Sequence, residues 1–192
     1  RVKVWPALVL LAPPRSGVKR GALSFVITAV VALSAFALLF DSSLSFLANQ
    51  RDRGLQVESV AALPYLLHSL AGGDVAFGLQ YGSIQVLMNG AELVGTILTV
   101  LGLVVFAAIA WWRLRGRLDD VPAGDVALTL MLVSVATSRV YSPQFNTWLV
   151  GLVAIALLAR SSRLSWAGGL VIAASVLTQI VYPWSATQLV HA

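Results

Sequence analysis

Cysteine is absent from this 192-residue chain, and charged residues are scarce. The absence of cysteine excludes disulfides and thiolate metal sites. Asp, Glu, Lys and Arg occupy only 11% of positions, whereas hydrophobic residues occupy 58% and the mean hydropathy is +0.86. So little polar surface cannot cover a globule of this size in water. The composition therefore indicates an integral membrane protein.

Sequence motifs for metal and nucleotide binding are also missing. The chain contains no His-Glu-x-x-His, Walker or Gly-x-Gly-x-x-Gly pattern. The net charge is +5, but the basic residues form short clusters at the ends of apolar runs rather than one continuous face. We therefore predict no metal site, no cofactor and no nucleic-acid partner, and the sequence leaves dependence on a divalent metal open.

Apolar runs separated by polar breaks predict an all-α, polytopic membrane protein. A partial membrane helix at 2–14 precedes predicted spans at 21–40, 91–112, 125–138, 144–159 and 165–182. The chain opens on Arg1, and its first apolar run is too short to cross a bilayer alone. We therefore expect the C-terminal part of a longer protein, with its upstream part out of view.

The basic residues alternate between the ends of these spans as the positive-inside rule requires. Eight of them flank ends that the rule assigns to the cytoplasm: Arg15, Lys19, Arg20, Arg113, Arg115, Arg117, Arg160 and Arg163. Only Arg51, Arg53 and Arg139 clearly fall on the other side. This asymmetry predicts a multi-pass protein of the cell membrane with the 41–90 connection outside.

The long outer connection carries a repeat of apolar residues at helical spacing. That pattern predicts an amphipathic surface helix at 55–71, bent at Pro64. A short interfacial helix is expected at 44–48, and 75–89 is expected to be extended or irregular. A connection of this length inside a compact bundle is usually functional.

Four of the ten residues from Gln50 to Ser59 are charged, and we call this stretch the charged segment. Because orientation signals do not explain its arginines, an anionic ligand is the simplest reason for them. Arg51 and Arg53 can point the same way from an extended chain, and their guanidinium forks match phosphate oxygens. The alternative is an internal network with Asp52 and Glu58. Phosphate is favoured, since a surface ion pair contributes only about 0–1 kcal/mol.

A second polar group lies in the Arg139 turn, which we define as residues 138–143. The Ser-Pro break within it exposes backbone polar groups at membrane depth, which is tolerated where the chain lines a cavity or is covered by protein. We therefore expect Arg139 and Gln144 to share a cleft with Arg51 and Arg53. A plain turn with an interfacial arginine remains the alternative for Arg139.

Two further residues have a functional and a structural interpretation. His68, on the predicted surface helix, could contact sugar or phosphate, or could pack at the interface. Lys3 could point into an outward-facing cavity, or could snorkel from the first apolar run.

Three motifs together resemble the actinobacterial polyprenol-phosphate-mannose-dependent mannosyltransferases, glycosyltransferase family 87 of the GT-C superfamily. They are Lys3-Val-Trp-Pro6, the charged-segment run Arg51-Asp-Arg-Gly-Leu-Gln-Val-Glu-Ser59, and Ser142-Pro-Gln144 followed by Trp148. The run from Arg53 to Ser59 is the most specific of the three. The resemblance covers most of this chain but only about the later half of such an enzyme.

The resemblance implies a GT-C-like helical bundle that moves a sugar, mannose, from a polyprenyl-phosphate donor to a glycolipid or glycan acceptor, with inversion, on the outer side of the membrane. In that family an aspartate on the first outer loop is the base, and this loop would precede Arg1, so the catalytic base is not assigned. The resemblance implies phosphate contacts for Arg51, Arg53, Arg139 and Lys3, and a substrate cleft formed by Gln56, Glu58, Ser59, Gln144 and His68.

Two other classes of protein fit part of the pattern. A transporter or flippase of a lipid-linked anion would also need arginines on the outer face, but such proteins tend to show internal repeats, and no repeat is evident. A membrane scaffold without catalytic activity would leave the charged segment unexplained.

Overall fold

The computed structural model describes residues 5–39, 54–142 and 144–190, which are mostly helical. A 3-10 helix, Trp5–Leu11, precedes α1 (Arg15–Leu39), and a second 3-10 helix, Val60–Ala62, leads into α2 (Leu63–Leu70). A hairpin of β1 (Phe77–Gln80) and β2 (Ser83–Val86) follows, and then α3 (Ala91–Leu114), α4 (Ala123–Ala136), α5 (Gln144–Leu158) and α6 (Ser165–Val190). The α-helices lie within a few residues of the apolar runs, except at the start of α1, the end of α6 and the start of the surface helix. The run at 2–14 contains a 3-10 helix rather than an α-helix. That each of these runs crosses the membrane stays a prediction.

Within the described residues, two helices are long and apolar enough to cross a membrane. They cover Ser16–Leu39 and Ala91–Leu114, with mean hydropathies of 2.5 and 2.6. Almost none of this apolar surface is buried in the protein, and Leu38, for example, is 87% exposed. At about 25 cal/mol per Å² of apolar surface, keeping both helices in water would be very unfavourable.

The bundle packs around α4. This helix contacts the N-terminal 3-10 helix, α3 and α5, while α6 packs on the far side of α5. Leu128, Leu130 and Met131 are each at most 1% exposed, so α4 is enclosed on nearly every side. A Cβ at Gly124 would lie 2.8 Å from the Cα of Ala156, so only glycine permits this close approach of α4 and α5.

The predicted helix at 55–71 is wrong in its first part, because residues 55–57 pair with the hairpin instead. The amide of Val57 donates to the carbonyl of Ile84, and the amide of Val86 donates to the carbonyl of Leu55. These tertiary hydrogen bonds compete successfully with helix formation. Pro64 therefore falls in the first turn of α2, where its missing N–H costs nothing, rather than at a bend.

The 75–89 region is extended, as expected, but it forms a regular antiparallel hairpin, so the fold is not purely α. Phe77 faces Val86 and Gln80 faces Ser83 in its register. Tyr81 and Gly82 turn the chain with φ of 51° and 71°, the left-handed conformation that two-residue hairpin turns require. Val86 packs with Leu55 and other residues of 54–91 in a small core separate from that of the bundle.

Contacts between the connections divide the bundle into two ends. The basic end comprises residues 11–14, 113–125 and 159–164, and the hairpin end comprises residues 54–92, 137–142 and 144–146. At the basic end the Arg113 guanidinium bonds the carbonyls of Leu11, Ala12 and Leu118. The sequence assigned Arg113 only to a cytoplasmic end, and the structure shows that its exposure is 0%, because these carbonyls enclose it.

Candidate functional site

The hairpin end contains the residues that the sequence singled out, as far as they are described. Lys3, Arg51, Arg53 and the expected helix at 44–48 lie outside the described residues. Their proposed roles therefore stay predictions. The described part of the charged segment begins at Gly54.

A backbone hydrogen bond joins the charged segment to the Arg139 turn. The amide of Gln56 donates to the carbonyl of Arg139 over 3.0 Å. This contact brings together two segments that are far apart in the sequence. It results from the chain direction, because α4 carries the chain from the basic end to the hairpin end, where residues 55–57 already line the hairpin.

Gln56 is the buried polar residue at this junction. It is only 7% exposed, and its side-chain oxygen, Oε1, has no hydrogen-bond partner among the described residues. An unsatisfied buried acceptor of this kind costs about 1–3 kcal/mol. Oε1 is also closed off from the surface, so a hydroxyl or a water molecule reaches it only when neighbouring residues move.

The other cleft candidates of the charged segment differ from Gln56. Ser59 is 4% exposed, and its hydroxyl donates to the Gln56 carbonyl over 2.7 Å, which stabilises the turn between them. Glu58 between them is exposed to solvent. Ser59 thus has a structural role in the described contacts, whereas Glu58 is accessible to a ligand.

Arg139 lies against α3 at a glycine. A Cβ placed on Gly95 would lie 3.4 Å from the Arg139 Cβ and 3.7 Å from its Nε. Because Gly95 has no side chain, the stem of Arg139 can pack directly on the helix surface. The position of this guanidinium is therefore set jointly by α3 and by the Arg139 turn.

Gln144 and His68 are both exposed. Gln144 is the first residue of α5, directly after the Arg139 turn. His68 lies in the last turn of α2, and its imidazole sits against Gly73 so closely that a Cβ there would collide with the ring. This packing favours the structural interpretation of His68, whereas the place of Gln144 in a cleft with Arg139 stays a prediction.

Aromatic side chains support the Arg139 turn from the bundle side. The Tyr141 hydroxyl donates to the Asn146 side-chain oxygen, and the Phe145 ring lies 5.6 Å from Tyr141 and 5.3 Å from Trp148. Burial raises the pKa of the Tyr141 phenol, although the hydrogen bond to Asn146 opposes this shift. Tyr141 is therefore a neutral donor that holds the turn to α5.

Sequence reasoning missed Gln85 altogether. Its side chain is buried at 2% exposure; Oε1 accepts the Gly54 amide hydrogen at 3.1 Å, and Nε2 donates to the Gln80 carbonyl at 3.4 Å. The available signal was a glutamine among apolar residues in a predicted extended stretch. Without the register of the hairpin, that signal could not distinguish an inward amide from an outward one.

Beside Gly54 lies a cavity of about 360 Å³. It opens between the hairpin and the first turn of α3, and its polar lining comes from Gln80, Gln85, Asn89 and Glu92. Across residues 5–39, 54–142 and 144–190, no three His, Cys, Asp or Glu side chains come together in a group that could hold a metal ion.

Comparison of the chain with protein-family models, with curated proteins and with solved structures finds no match. The resemblance to the polyprenol-phosphate-mannose-dependent mannosyltransferases therefore stays a prediction that rests on the three sequence motifs.

Proposed function

We propose that this chain is part of an inverting membrane glycosyltransferase that uses a polyprenyl-phosphate sugar donor. In this proposal mannose passes from the donor to a glycolipid or glycan acceptor on the outer side of the cytoplasmic membrane. The chain crosses the membrane several times, with its basic end in the cytoplasm and its hairpin end outside.

The membrane part of the proposal is supported by apolar exposure and by the grouping of charge. Two helices with almost no buried surface are suited to lipid. The polar contacts at the basic end join residues 11–12, 113 and 118–119, and a second set joins Asp125 to residues 162–163. These connections carry most of the cations, as the positive-inside rule expects for a cytoplasmic end.

The observation that carries the catalytic part is the hydrogen bond between Gln56 and Arg139. It joins the segment that follows Arg51 and Arg53 to the turn that bears the third outer arginine. In this proposal the guanidinium groups of Arg51, Arg53 and Arg139 bind one phosphate through charge-assisted hydrogen bonds. The proposal assigns this phosphate to the polyprenyl donor.

The reaction is a direct displacement at the anomeric carbon. An acceptor hydroxyl oxygen forms the new bond to that carbon while the bond to the phosphate oxygen breaks, and polyprenyl phosphate leaves with the bonding electrons. The acceptor proton passes to a carboxylate base, which is not assigned in this chain. Arginines beside the phosphate stabilise the charge that develops on the leaving group.

Replacing Arg139 in the full-length protein tests this assignment. We expect Arg139→Ala to lower sugar transfer from polyprenyl-phosphate-mannose by about 10- to 150-fold, because a charged hydrogen bond contributes about 1.5–3 kcal/mol. Transfer is measured as radiolabelled mannose incorporated into membrane lipid extract by protein in nanodiscs. Arg160→Ala, which removes an exposed arginine at the basic end, is the matched control and should transfer normally.

Two results would contradict the proposal. One is transfer at the wild-type rate by both Arg139→Ala and the double variant Arg51→Ala, Arg53→Ala, since the outer arginines would then not bind donor. The other is movement of the donor between leaflets with no glycosidic product, which would favour the lipid-linked anion transporter.

A further inference from the structure

Hydrogen bonds within the protein fix part of the wall of the cavity at the hairpin end. Gln85 lines it and is held at both ends of its amide, by the Gly54 amide and by the Gln80 carbonyl. A Cβ on Gly54 would collide with the Gln85 Oε1, so a larger residue here would displace this held side chain. The cavity is therefore formed before any ligand arrives.

Several polar groups around the cavity are accessible to a ligand. Gln80, Asn89 and Glu92 line it and are exposed. Gly90 is the N-cap of α3 with φ of 90°, and it supplies no side-chain acceptor to the first turn of the helix. The cavity thus presents amide donors, amide acceptors and one carboxylate within a single recess.

This combination discriminates between ligand classes. A helix N-terminus attracts anions, but the Glu92 carboxylate on the same wall repels them. A divalent cation requires several oxygen ligands with more negative charge than one carboxylate provides. Neutral hydroxyl groups, which both donate and accept, are matched by amides and by a carboxylate.

We propose that this cavity binds the hydroxyl face of a neutral pyranose ring. Asn89 and Gln80 would each form a hydrogen bond with one hydroxyl of the ring, and the Glu92 carboxylate would accept a hydrogen bond from a third hydroxyl. The volume of about 360 Å³ lies at the lower end of the ~300–1,000 Å³ that small-molecule sites occupy, which suits one sugar ring. None of these three side chains belongs to the cleft expected from the sequence.

The position of the cavity relates it to the proposed transfer reaction. Gly54 at its edge follows Arg53 directly, and adjacent Cα atoms lie about 3.8 Å apart. A pyranose here would therefore lie close to the backbone of a residue that the proposed function assigns to the donor phosphate. The sugar can be that of the donor or the terminal sugar of the acceptor. This choice between donor and acceptor rests on the proposed function, whereas the proposal that the cavity binds a pyranose does not.

Binding is tested with methyl α-mannopyranoside, by saturation-transfer NMR on the full-length protein in nanodiscs. We expect saturable binding that weakens about fivefold in Asn89→Ala and in Gln80→Ala, since each loses about 1 kcal/mol of hydrogen bonding. Asp74→Ala, an exposed change in the connection before β1, is the control and should bind as the wild type does. Equal thermal unfolding of all four proteins establishes that the fold is intact.

A photoreactive mannoside locates the site independently. We expect a diazirine derivative to label chymotryptic peptides from residues 80–92, and excess methyl α-mannopyranoside to suppress the labelling. Labelling confined to other peptides, or unaltered affinity in both amide variants, would overturn the proposal. Displacement of the mannoside by inorganic phosphate at this peptide would also overturn it, because the cavity would then be an anion site.

Steady-state kinetics separate the two sources of sugar and the two proposals. In Asn89→Ala, a raised KM for polyprenyl-phosphate-mannose assigns the cavity to the donor, and a raised KM for the acceptor assigns it to the acceptor. Normal kinetics in an active enzyme would refute the pyranose site and leave the transfer function standing. Labelling of 80–92 by a wild-type protein that forms no glycosidic product would refute the transfer function and support the pyranose site.

Discussion

The two ends of the bundle contain similar polar residues but use them differently. At the basic end Arg113 is 0% exposed and donates to three carbonyls and to the Asp119 carboxylate, while Asp125 accepts from the Ser162 hydroxyl and the Arg163 amide. At the hairpin end the buried side chains of Gln56 and Asn146 each keep one atom without a partner among the described residues.

The two ends therefore differ in whether their buried polar side chains make all their hydrogen bonds or keep one atom without a partner. A buried group with all its hydrogen bonds satisfied stabilises the fold and has nothing left for a ligand. A buried group with an unsatisfied atom weakens the fold, and a functional role or an ordered water is the usual explanation for it. The comparison therefore supports the proposal that binding occurs at the hairpin end, although most of the cationic residues lie at the other end.

The largest expected effect is an all-or-none difference in how the two ends of the bundle react with a labelling reagent that cannot cross the membrane. These 192 residues contain no cysteine, so they add no background to the labelling of a single introduced cysteine. We expect Asp74→Cys at the hairpin end to react with an impermeant maleimide on intact cells, and Arg160→Cys to react only after permeabilisation. Both positions are exposed. The reverse pattern would place the hairpin end in the cytoplasm and exclude an outer-face active site.

Removing Arg113 should cause the largest loss of stability. Arg113→Ala leaves the carbonyls of Leu11, Ala12 and Leu118 without their donors, and we expect a loss of about 3–5 kcal/mol. Arg117→Ala removes an exposed arginine nearby and should change stability by less than about 0.5 kcal/mol. Unfolding is followed by tryptophan fluorescence in detergent. Equal stability of the two variants would show that the basic end is not held by Arg113.

The sequence predicts the helical part of this fold well, because long apolar runs have few other structures open to them. It fails at 55–59, where helical spacing is present but pairing with the hairpin is stronger. It also cannot predict that Arg113 is buried and donates hydrogen bonds to backbone carbonyls, since two of these carbonyls lie about one hundred residues away along the chain. Burial of this kind depends on tertiary contacts that no local pattern records.

For the candidate site, the alternating direction of the predicted helices indicated which segments meet, whereas residue types did not indicate which polar side chains line the cavity. Alternating chain direction brings the Arg139 turn and the charged segment to the same end, and their contact through Gln56 agrees with that expectation. The polar cavity was not foreseen, because Gln85 points inward only by virtue of the hairpin register, in which it pairs with Gly78. Arg51 and Arg53 lie outside the described residues, so their phosphate-binding role rests on the sequence alone.

Replacing Gln85 should have an intermediate effect on stability. Gln85→Met keeps the side-chain length but removes an acceptor from the Gly54 amide and a donor from the Gln80 carbonyl. We expect a loss of about 1–3 kcal/mol, because at least one buried backbone group loses its partner. Unfolding in detergent measures it, with Gln144→Met as the exposed control. A neutral result would mean that water replaces both hydrogen bonds.

Replacing Gln56 should have the smallest effect on stability and a clear effect on function. Its Oε1 has no hydrogen-bond partner among the described residues, so Gln56→Met removes an unsatisfied buried acceptor and should not lower the free energy of unfolding. Sugar transfer should nevertheless fall, because the proposed function places Gln56 in the substrate cleft. Comparing Gln56→Met with Gln85→Met thus distinguishes a buried amide with an unsatisfied oxygen from a buried amide whose hydrogen bonds hold the backbone. A strongly destabilised Gln56→Met with normal transfer would place Gln56 with Arg113 among the structural residues and remove it from the site.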